Sequence, residues 1–287
     1  MKFSDFYQPG RPRYSFEVFP PKDEAGVANL IAALEKLSSF DPAFVSVTYG
    51  AMGTTRNLTR DLALRVRNET KLTTAFHFTC VGADRASVRS YVDRLKKEGM
   101  TLIVALRGDA PVLPPGQTYE RPKDGFTYAN ELVAYLKEID GFSIAVAGYP
   151  EGHVECADKE TDLGNLKRKV DAGADVVITQ LFFDNRDYFD FVDRARKIGI
   201  SVPIIPGIMP ILSLKQIEKI SKMCGASLPK GLHDRLVQAQ NDPEAMRKVG
   251  VEHAAAQCRE LLKKGVPGIH FYILNRAEST SEVLKAL

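Results

Sequence analysis

The regular pattern of the chain begins with Tyr14-Ser15-Phe16-Glu17-Val18-Phe19, continues with Asn29-Leu30-Ile31-Ala32-Ala33-Leu34-Glu35-Lys36-Leu37, and then gives Phe44-Val45-Ser46-Val47-Thr48. The first and third stretches are rich in β-branched and aromatic residues, which is typical of strands. The middle stretch carries its apolar residues at helical spacing, on a stripe formed by Leu30, Ala33, Leu34 and Leu37. A strand, a helix and a second strand in succession indicate parallel strands joined by a helical crossover.

The same unit recurs along the whole chain. The predicted strands are Tyr14–Phe19, Phe44–Thr48, Thr74–Thr79, Thr101–Leu106, Phe142–Ala147, Asp175–Gln180, Val202–Gly207 and Gly268–Leu274. Eight such units in a chain of 287 residues favour a closed (β/α)8 barrel, the TIM-barrel form of the α/β class. A doubly wound open sheet is the alternative, but no GxGxxG motif follows the first strand, which argues against a dinucleotide-binding fold.

Composition narrows the class of protein. The chain is 44% hydrophobic and 26% charged, and its net charge is +3. We therefore expect one globular domain over residues 1–287 and no nucleic-acid partner. No run approaches the length of a membrane span, and the N-terminus lacks the apolar core of a signal peptide. The cysteines stand far apart, as free thiols do in a reducing compartment, so we predict a cytoplasmic protein that uses no membrane.

A carboxylate interrupts the first strand. Glu17 shares one face of that strand with Ser15 and Phe19, and Pro20-Pro21 end the strand directly afterwards. Burial of an unpaired carboxylate raises its pKa, and a protonated Glu is able to act as a general acid. The alternative is a structural Glu that is paired with a Lys or Arg in the core.

Polar residues gather where the predicted strands end, at the face where barrel enzymes build their active sites. These residues are Glu17, Thr48, Tyr49, His77, Arg107, Gly108, Asp109, Tyr149, His153, Gln180 and Arg276. Each has a structural alternative: His77 as a satisfied core histidine, for example, or Arg107 and Asp109 as a simple pair. Arg and Lys side chains together with tyrosine rings suit a large, flat, anionic ligand. The acidic residues do not combine with histidines at metal-ligand spacing, so the sequence predicts no metal site.

Several motifs in one order resemble a known family, the bacterial flavoprotein type of 5,10-methylenetetrahydrofolate reductase. The similarity runs from about Tyr14 to Glu278. The motifs are Ser15-Phe16-Glu17-Val18-Phe19-Pro20-Pro21, Phe44-Val45-Ser46-Val47-Thr48-Tyr49-Gly50-Ala51, Ala105-Leu106-Arg107-Gly108-Asp109, Ala147-Gly148-Tyr149-Pro150-Glu151-Gly152-His153, Asn165-Leu166-Lys167-Arg168-Lys169-Val170-Asp171-Ala172-Gly173-Ala174, Ile178-Thr179-Gln180 and Asn275-Arg276-Ala277-Glu278.

The resemblance implies a single catalytic domain over residues 1–287 with no C-terminal regulatory domain. It also implies an activity and a set of site residues. NADH or NADPH would reduce bound FAD, which would then pass a hydride to methylenetetrahydrofolate in a ping-pong reaction that supplies the methyl group for methionine synthesis. Glu17 would be the general acid, and Asp109 would lie near both flavin and pterin. The implied FAD and nicotinamide contacts are Thr48, Tyr49, Ala51, His77, Arg107, Gly108, Asp109, Tyr128, Ala129, Tyr149, His153, Asp162, Asn165, Arg168 and Lys169. The implied folate contacts are Gln180, Gln216 and Arg276.

Some alternatives stay open at this point. The resemblance implies a homo-oligomer, while NADH, NADPH or an electron-transfer protein could each serve as the donor. Ile220 and Cys156 depart from the pattern, since an aromatic and an Ala are common there. A flavin barrel acting on another substrate such as proline is one rival, and a flavin-free barrel subunit is another. The set Tyr149, His153, Arg168 and Lys169 argues against the flavin-free rival.

Overall fold

The computed structural model describes residues 1–8, 10–49, 56–109 and 119–287. Within these residues, eight parallel strands close into a barrel in their chain order, which confirms the predicted (β/α)8 fold. The strands are β1 (Arg13–Val18), β2 (Phe44–Val47), β3 (Thr74–Thr79), β4 (Leu102–Leu106), β5 (Ser143–Gly148), β6 (Val176–Leu181), β7 (Ile204–Ile208) and β8 (Gly268–Tyr272). The first and last strands close the ring, with Ser15 opposite His270 and Glu17 opposite Tyr272.

Helices surround the barrel. They are α1 (Phe3–Phe6), α2 (Glu24–Ser38), α3 (Arg56–Thr70), α4 (Arg85–Lys97), α5 (Ala129–Ile139), α6 (Lys159–Asp171), α7 (Asn185–Lys197), α8 (Leu214–Cys224), α9 (Lys230–Ala239), α10 (Pro243–Lys263) and α11 (Glu278–Lys285). Many begin at an acidic or hydroxyl residue that accepts a hydrogen bond from a first-turn amide, as Asp23, Asp84, Asp158 and Ser213 do. Such caps satisfy amides that lack an intrahelical partner and stabilise each helix by about 1 kcal/mol.

The main core lies between the barrel and its helices. The apolar stripe predicted for α2 is buried there, with Leu30, Leu34 and Leu37 fully inaccessible. The strands read as nearly continuous buried runs because helices cover their outer faces and side chains fill the interior.

A separate cluster fills the bottom of the barrel. The short helix α1 places Phe3 against the ring of Phe44, at a centroid distance of 5.0 Å, and Tyr7 joins the same cluster. This plug closes the N-terminal end of the barrel, which leaves the C-terminal end as the open mouth.

The long connection between β7 and β8 contains three helices. Ser213 caps α8, and Pro243 lies in the first turn of α10. Between them, Pro229 is the N-cap of α9. Helices α8, α9 and α10 form a third apolar cluster with Leu181 and Met209, and this cluster forms one wall of the mouth.

The structure also describes the state of the cysteines and the length and polarity of the helices. Cys80, Cys156, Cys224 and Cys258 are all free thiols. In the part of the chain that the structure describes, every helix is too short or too polar to cross a membrane.

Candidate functional site

The mouth of the barrel opens into a cavity of about 290 Å³. Its polar lining comes from the ends of different strands. The lining residues are Glu17, Val18, Phe19, Thr48, His77, Val104, Leu106, Ala147, Tyr149, Ile178, Gln180, Leu181, Met209, Ile220, Tyr272 and Leu274. Five residues predicted from sequence, Glu17, Thr48, His77, Tyr149 and Gln180, therefore share one cavity, as the strand-end rule requires.

Glu17 lies between two imidazoles. Its Oε2 atom is 3.1 Å from Nε2 of His77 and 3.5 Å from Nε2 of His270. The approach of His77 lacks hydrogen-bonding alignment, whereas His270 Nε2 makes a long hydrogen bond to Glu17. The other ring nitrogen of His270, Nδ1, is hydrogen-bonded to Ser15 Oγ at 2.7 Å. Glu17 is thus held from the side of the barrel interior while its side chain keeps 19% of its accessible surface.

The prediction that the pKa of Glu17 is raised is wrong. Burial alone would raise that pKa, but the nearby His77 and the hydrogen bond from His270 overcome it and lower the pKa of Glu17 to about 2. The structural alternative also named the wrong kind of partner, because the groups that face Glu17 are histidines and not Lys or Arg.

A local irregularity in β6 positions Gln180. The register between β6 and β7 shifts between Ile178 and Leu181, and bulges of this kind re-aim side chains near active sites. The Leu181 N–H donates to Oε1 of Gln180 at 2.9 Å, which leaves the Gln180 amide group as a donor toward the cavity. The Tyr272 hydroxyl donates to the carbonyl of Thr179 at 2.7 Å and so fixes the same strand end.

The other side of the mouth is built from β5 and α6. The rings of Tyr149 and His153 meet edge to face at 4.6 Å, and the ammonium of Lys169 lies 5.8 Å from the centre of the Tyr149 ring. Lys169 donates to the carbonyl of Ala147 at 2.5 Å. Burial lowers the pKa of Lys169 to about 8, although Asp162 opposes the shift. Among the residues that the structure describes, no carboxylate accepts a hydrogen bond from Lys169, and a cation held in this way favours an electron-rich ligand.

Two arginines, Arg107 and Arg168, lie on the same side of the mouth as Lys169. Arg107 donates to Glu155 at 2.6 Å, and the pKa of Glu155 is lowered by that hydrogen bond. The Glu155 N–H donates to Nδ1 of His153 at 3.1 Å, which joins this pair to the Tyr149 ring. On α6, Arg168 donates to Asn165 at 2.6 Å. Seven of the predicted cofactor contacts thus form one continuous group, here called the cation side: Arg107, Tyr149, His153, Asp162, Asn165, Arg168 and Lys169.

Other predicted residues do not line the cavity. Asp109, Tyr128, Gln216 and Arg276 are exposed, with Tyr128 at the start of α5 and Gln216 in the first turn of α8. Of the rest, Tyr49, Gly108 and Ala129 are half-buried. Ala51 lies outside the described residues.

Sequence reasoning missed three residues that shape the site. His270 is a titratable side chain inside the apolar strand β8, which is the same signal that singled out Glu17. Glu155 pairs with a residue that was singled out, Arg107, but nothing in its own sequence context marks it. Asn275 has a left-handed backbone with φ of 59°. Its side chain accepts from the Phe19 N–H at 3.0 Å and donates to the Phe19 carbonyl at 2.8 Å, which fixes the end of β1.

A second concavity, of about 400 Å³, lies at the opposite end of the barrel. It is lined by Asp5, Phe6, Gln8, Arg11 and Arg13. Arg13 is already engaged there by Asp41 at 2.9 Å. The N-terminal face of a barrel contributes to stability, so the catalytic site is placed at the mouth. Among the described residues, no group of three or more His, Cys, Asp or Glu side chains is arranged to hold a metal ion.

A closed (β/α)8 barrel with titratable side chains converging at the strand C-termini defines a barrel enzyme. A family model described as methylenetetrahydrofolate reductase matches residues 2–287. The chain is 40% identical over 278 residues to the 5,10-methylenetetrahydrofolate reductase of Pectobacterium carotovorum subsp. carotovorum, covering 97% of this chain and 91% of that protein. The chain belongs to the methylenetetrahydrofolate reductase family.

Two further proteins are similar to this chain over its full length. The chain is 35% identical to methylenetetrahydrofolate reductase (NADH) 1 of Arabidopsis thaliana, and the match covers 100% of this chain and 50% of the plant protein. The barrel also resembles a Clostridium thermocellum protein that binds two copies of 5-methyl-5,6,7,8-tetrahydrofolic acid, with a TM-score of 0.61 and 15% identity over 100% of this chain and 98% of that one. At that identity the likeness concerns the fold alone.

Proposed function

We propose that this protein reduces 5,10-methylenetetrahydrofolate to 5-methyltetrahydrofolate, with NADH or NADPH as donor and FAD as bound cofactor. The observation that carries the proposal is the cavity that joins Glu17 and Gln180 on one side to the Tyr149 ring on the other. Membership of the family supports the substrate, and a curated plant relative named as NADH-dependent supports a nicotinamide donor.

The residues of the cation side fit a dinucleotide cofactor. Arg107 and Arg168 offer planar donors for phosphate, and the Tyr149 ring offers a stacking face. The ammonium of Lys169, with its pKa lowered by burial, would regain a favourable environment beside an anionic or carbonyl-rich ring. FAD, when bound, would supply hydride chemistry of which the side chains themselves are incapable. The exposed carboxylate of Asp109, which follows Gly108 at φ 82°, would place negative charge at the same rim.

Glu17 and Gln180 would bind the folate substrate and act on it. Gln180 presents its amide donor to an acceptor on the pterin or on the nicotinamide carboxamide. Glu17 would give a proton to the folate nitrogen that leaves when the one-carbon bridge opens, because a leaving amine needs a proton. A bound pterin would remove the remaining solvent from Glu17, and this desolvation would raise the pKa of the carboxyl, so that it takes up the proton that it then delivers. Both substrates would use this one mouth in turn, which corresponds to ping-pong kinetics.

An absorbance spectrum of the purified protein, followed by anaerobic additions, tests the proposal. We expect a flavin band that NADH bleaches and that methylenetetrahydrofolate restores. A flavin band that neither NADH nor NADPH bleaches would keep the cofactor and point to a protein donor. A flavin that is reduced but not reoxidised by the folate would favour a barrel oxidoreductase acting on another substrate. A colourless protein that takes up no added FAD would overturn the cofactor assignment.

A further inference from the structure

The barrel interior beneath Glu17 contains a polar pair that the proposed reaction does not by itself require. Ser15 and His270 are both completely inaccessible to solvent, and they lie opposite each other on the neighbouring strands β1 and β8. His270 makes two hydrogen bonds. Its Nδ1 atom is bonded to Ser15 Oγ at 2.7 Å, and its Nε2 atom is bonded to Glu17 Oε2 at 3.5 Å. Buried polar groups are costly unless paired, so a Ser–His pair in the core of a barrel calls for a reason.

We infer that Ser15 and His270 are positioning residues that act through Glu17: Ser15 selects the tautomer of His270 that directs Nε2–H at the Glu17 carboxylate. This inference rests on the proposed function, because it assigns the pair to the acid step of folate reduction. It names residues that touch neither substrate nor cofactor.

The direction of each hydrogen bond follows from the partners. A neutral imidazole carries one N–H and one acceptor nitrogen, and the acceptor is fixed by the hydrogen bond that the other partner makes. The ionised Glu17 carboxylate accepts only, so Nε2 must donate to it, and Nδ1 must then accept from the Ser15 hydroxyl. Without the Ser15 hydroxyl, the buried Nδ1 loses its donor, and the opposite tautomer would turn a lone pair toward the carboxylate.

The surroundings leave Glu17 as the charged partner of this pair. On β8, the ring of Tyr272 meets His270 edge to face at 5.4 Å, and its hydroxyl is already donated to Thr179. From β2, the Phe44 ring stacks on His270 at 6.0 Å and is apolar. Burial raises the pKa of both Tyr272 and Tyr7, the latter lying next to Ser15, so these phenols remain neutral. On β7, the residue opposite His270 is Gly207, which carries no side chain. On β3, His77 contacts Glu17.

The first test observes the tautomer and does not depend on activity. Nitrogen-15 NMR of imidazole-labelled protein near neutral pH resolves the five histidines of the chain, and His270→Asn assigns the signal. We expect a protonated Nε2 and an unprotonated Nδ1 for His270 in the wild type. Ser15→Ala should change both signals. Ser46→Ala is the matched control, because Ser46 is an equally buried strand serine whose hydroxyl has no hydrogen-bond partner among the described residues. A protonated Nδ1 in the wild type, or His270 signals unchanged by Ser15→Ala, would overturn the inference.

The second test uses the two half-reactions. Ser15→Ala should slow folate reduction by roughly 10- to 100-fold, less than the loss of the acid itself, and displace its pH profile, while flavin reduction by NADH stays at the wild-type rate. Equal slowing of both half-reactions with an undisplaced pH profile would mean a purely structural pair. A wild type that reduces no methylenetetrahydrofolate would refute the proposed function, and the tautomer measurement would still decide whether Ser15 orients His270 toward Glu17.

Discussion

The two sides of the mouth differ in how their charges are satisfied. Glu17 already has its partners, because two imidazoles of the protein approach one of its oxygens. On the cation side, the one hydrogen bond that Lys169 donates within the described part of the chain goes to a backbone carbonyl, and Arg107 is engaged by the half-exposed Glu155. The part of the mouth around Glu17, here called the acid side, is therefore preorganised by the protein, whereas we propose that a bound ligand completes the cation side. This difference gives each side a distinct response to mutation and to pH.

The largest expected effect is on the acid side. Glu17→Gln keeps the shape of the side chain but removes the proton that it delivers. We expect folate reduction to fall by about 10²- to 10⁴-fold, the usual worth of general acid catalysis, while flavin content and NADH oxidation are retained. Stopped-flow measurement of the two half-reactions checks this, with Glu35→Gln on the exposed face of α2 as the control. Wild-type turnover of methylenetetrahydrofolate by the Glu17→Gln protein would remove Glu17 from the mechanism.

On the cation side, Lys169→Met tests whether a ligand completes the site. A hydrogen bond to a charged group contributes about 1.5–3 kcal/mol, so we expect FAD affinity to fall by roughly 10- to 100-fold. Lys167→Met is the matched control, since Lys167 lies on the same helix and pairs with Asp171 at the surface. Titration of the apoprotein with FAD, followed by flavin fluorescence, measures the difference. Equal affinities for the Lys169→Met and Lys167→Met proteins would contradict the assignment of Lys169.

The same variant has a pH signature in the ligand-free protein. Burial lowers the pKa of Lys169 from 10.5 to about 8, so the charged side chain destabilises the fold below about pH 8. This penalty, at most about 3 kcal/mol, is relieved as the pH rises from about 8 to 10.5, because the folded protein releases the proton first. Lys169→Met should therefore stabilise the apoprotein near neutral pH, and its advantage over wild type should shrink in alkali. Urea unfolding across this range checks the sign, and an advantage that grows in alkali would contradict it.

Glu17 should show the opposite dependence. Its folded-state pKa, lowered from 4.5 to about 2, means that the ionised carboxylate stabilises the fold above pH 4.5 and that this contribution is lost as the pH falls toward 2. Glu17→Gln should thus reduce the free energy of unfolding by about 1–3 kcal/mol at neutral pH, with the gap closing in acid. If the carboxyl were instead protonated by burial, as the sequence suggested, the Glu17→Gln variant would be at least as stable as wild type at neutral pH. Acid-dependent urea unfolding distinguishes the two.

The sequence predicted the barrel and much of the mouth for identifiable physical reasons. Strand alternation and helical spacing are local patterns, so the strands were placed to within a few residues, and the strand-end rule then brought Glu17, His77, Tyr149 and Gln180 together. The short α1 and the extra α9 were missed because neither has a long apolar period. The pKa of Glu17 was predicted in the wrong direction because the residues that lower it, His77 on β3 and His270 on β8, approach it only in the closed barrel. His270, for example, lies 253 residues away in sequence.

The smallest predicted effect concerns Glu155, which pairs with Arg107. Glu155 is 56% exposed, and exposed ion pairs contribute only about 0.2–1 kcal/mol, so removing its charge should change ligand affinity by a few-fold at most. We expect Glu155→Gln to tighten FAD binding, because Arg107 would no longer be shared, and the gain should diminish with added salt. Glu160→Gln is the matched control, since Glu160 is an exposed acid on α6 that pairs with Arg194. A weaker affinity for FAD in the Glu155→Gln protein would show instead that Glu155 holds Arg107 in position for the ligand, and the cation side would then be preorganised like the acid side.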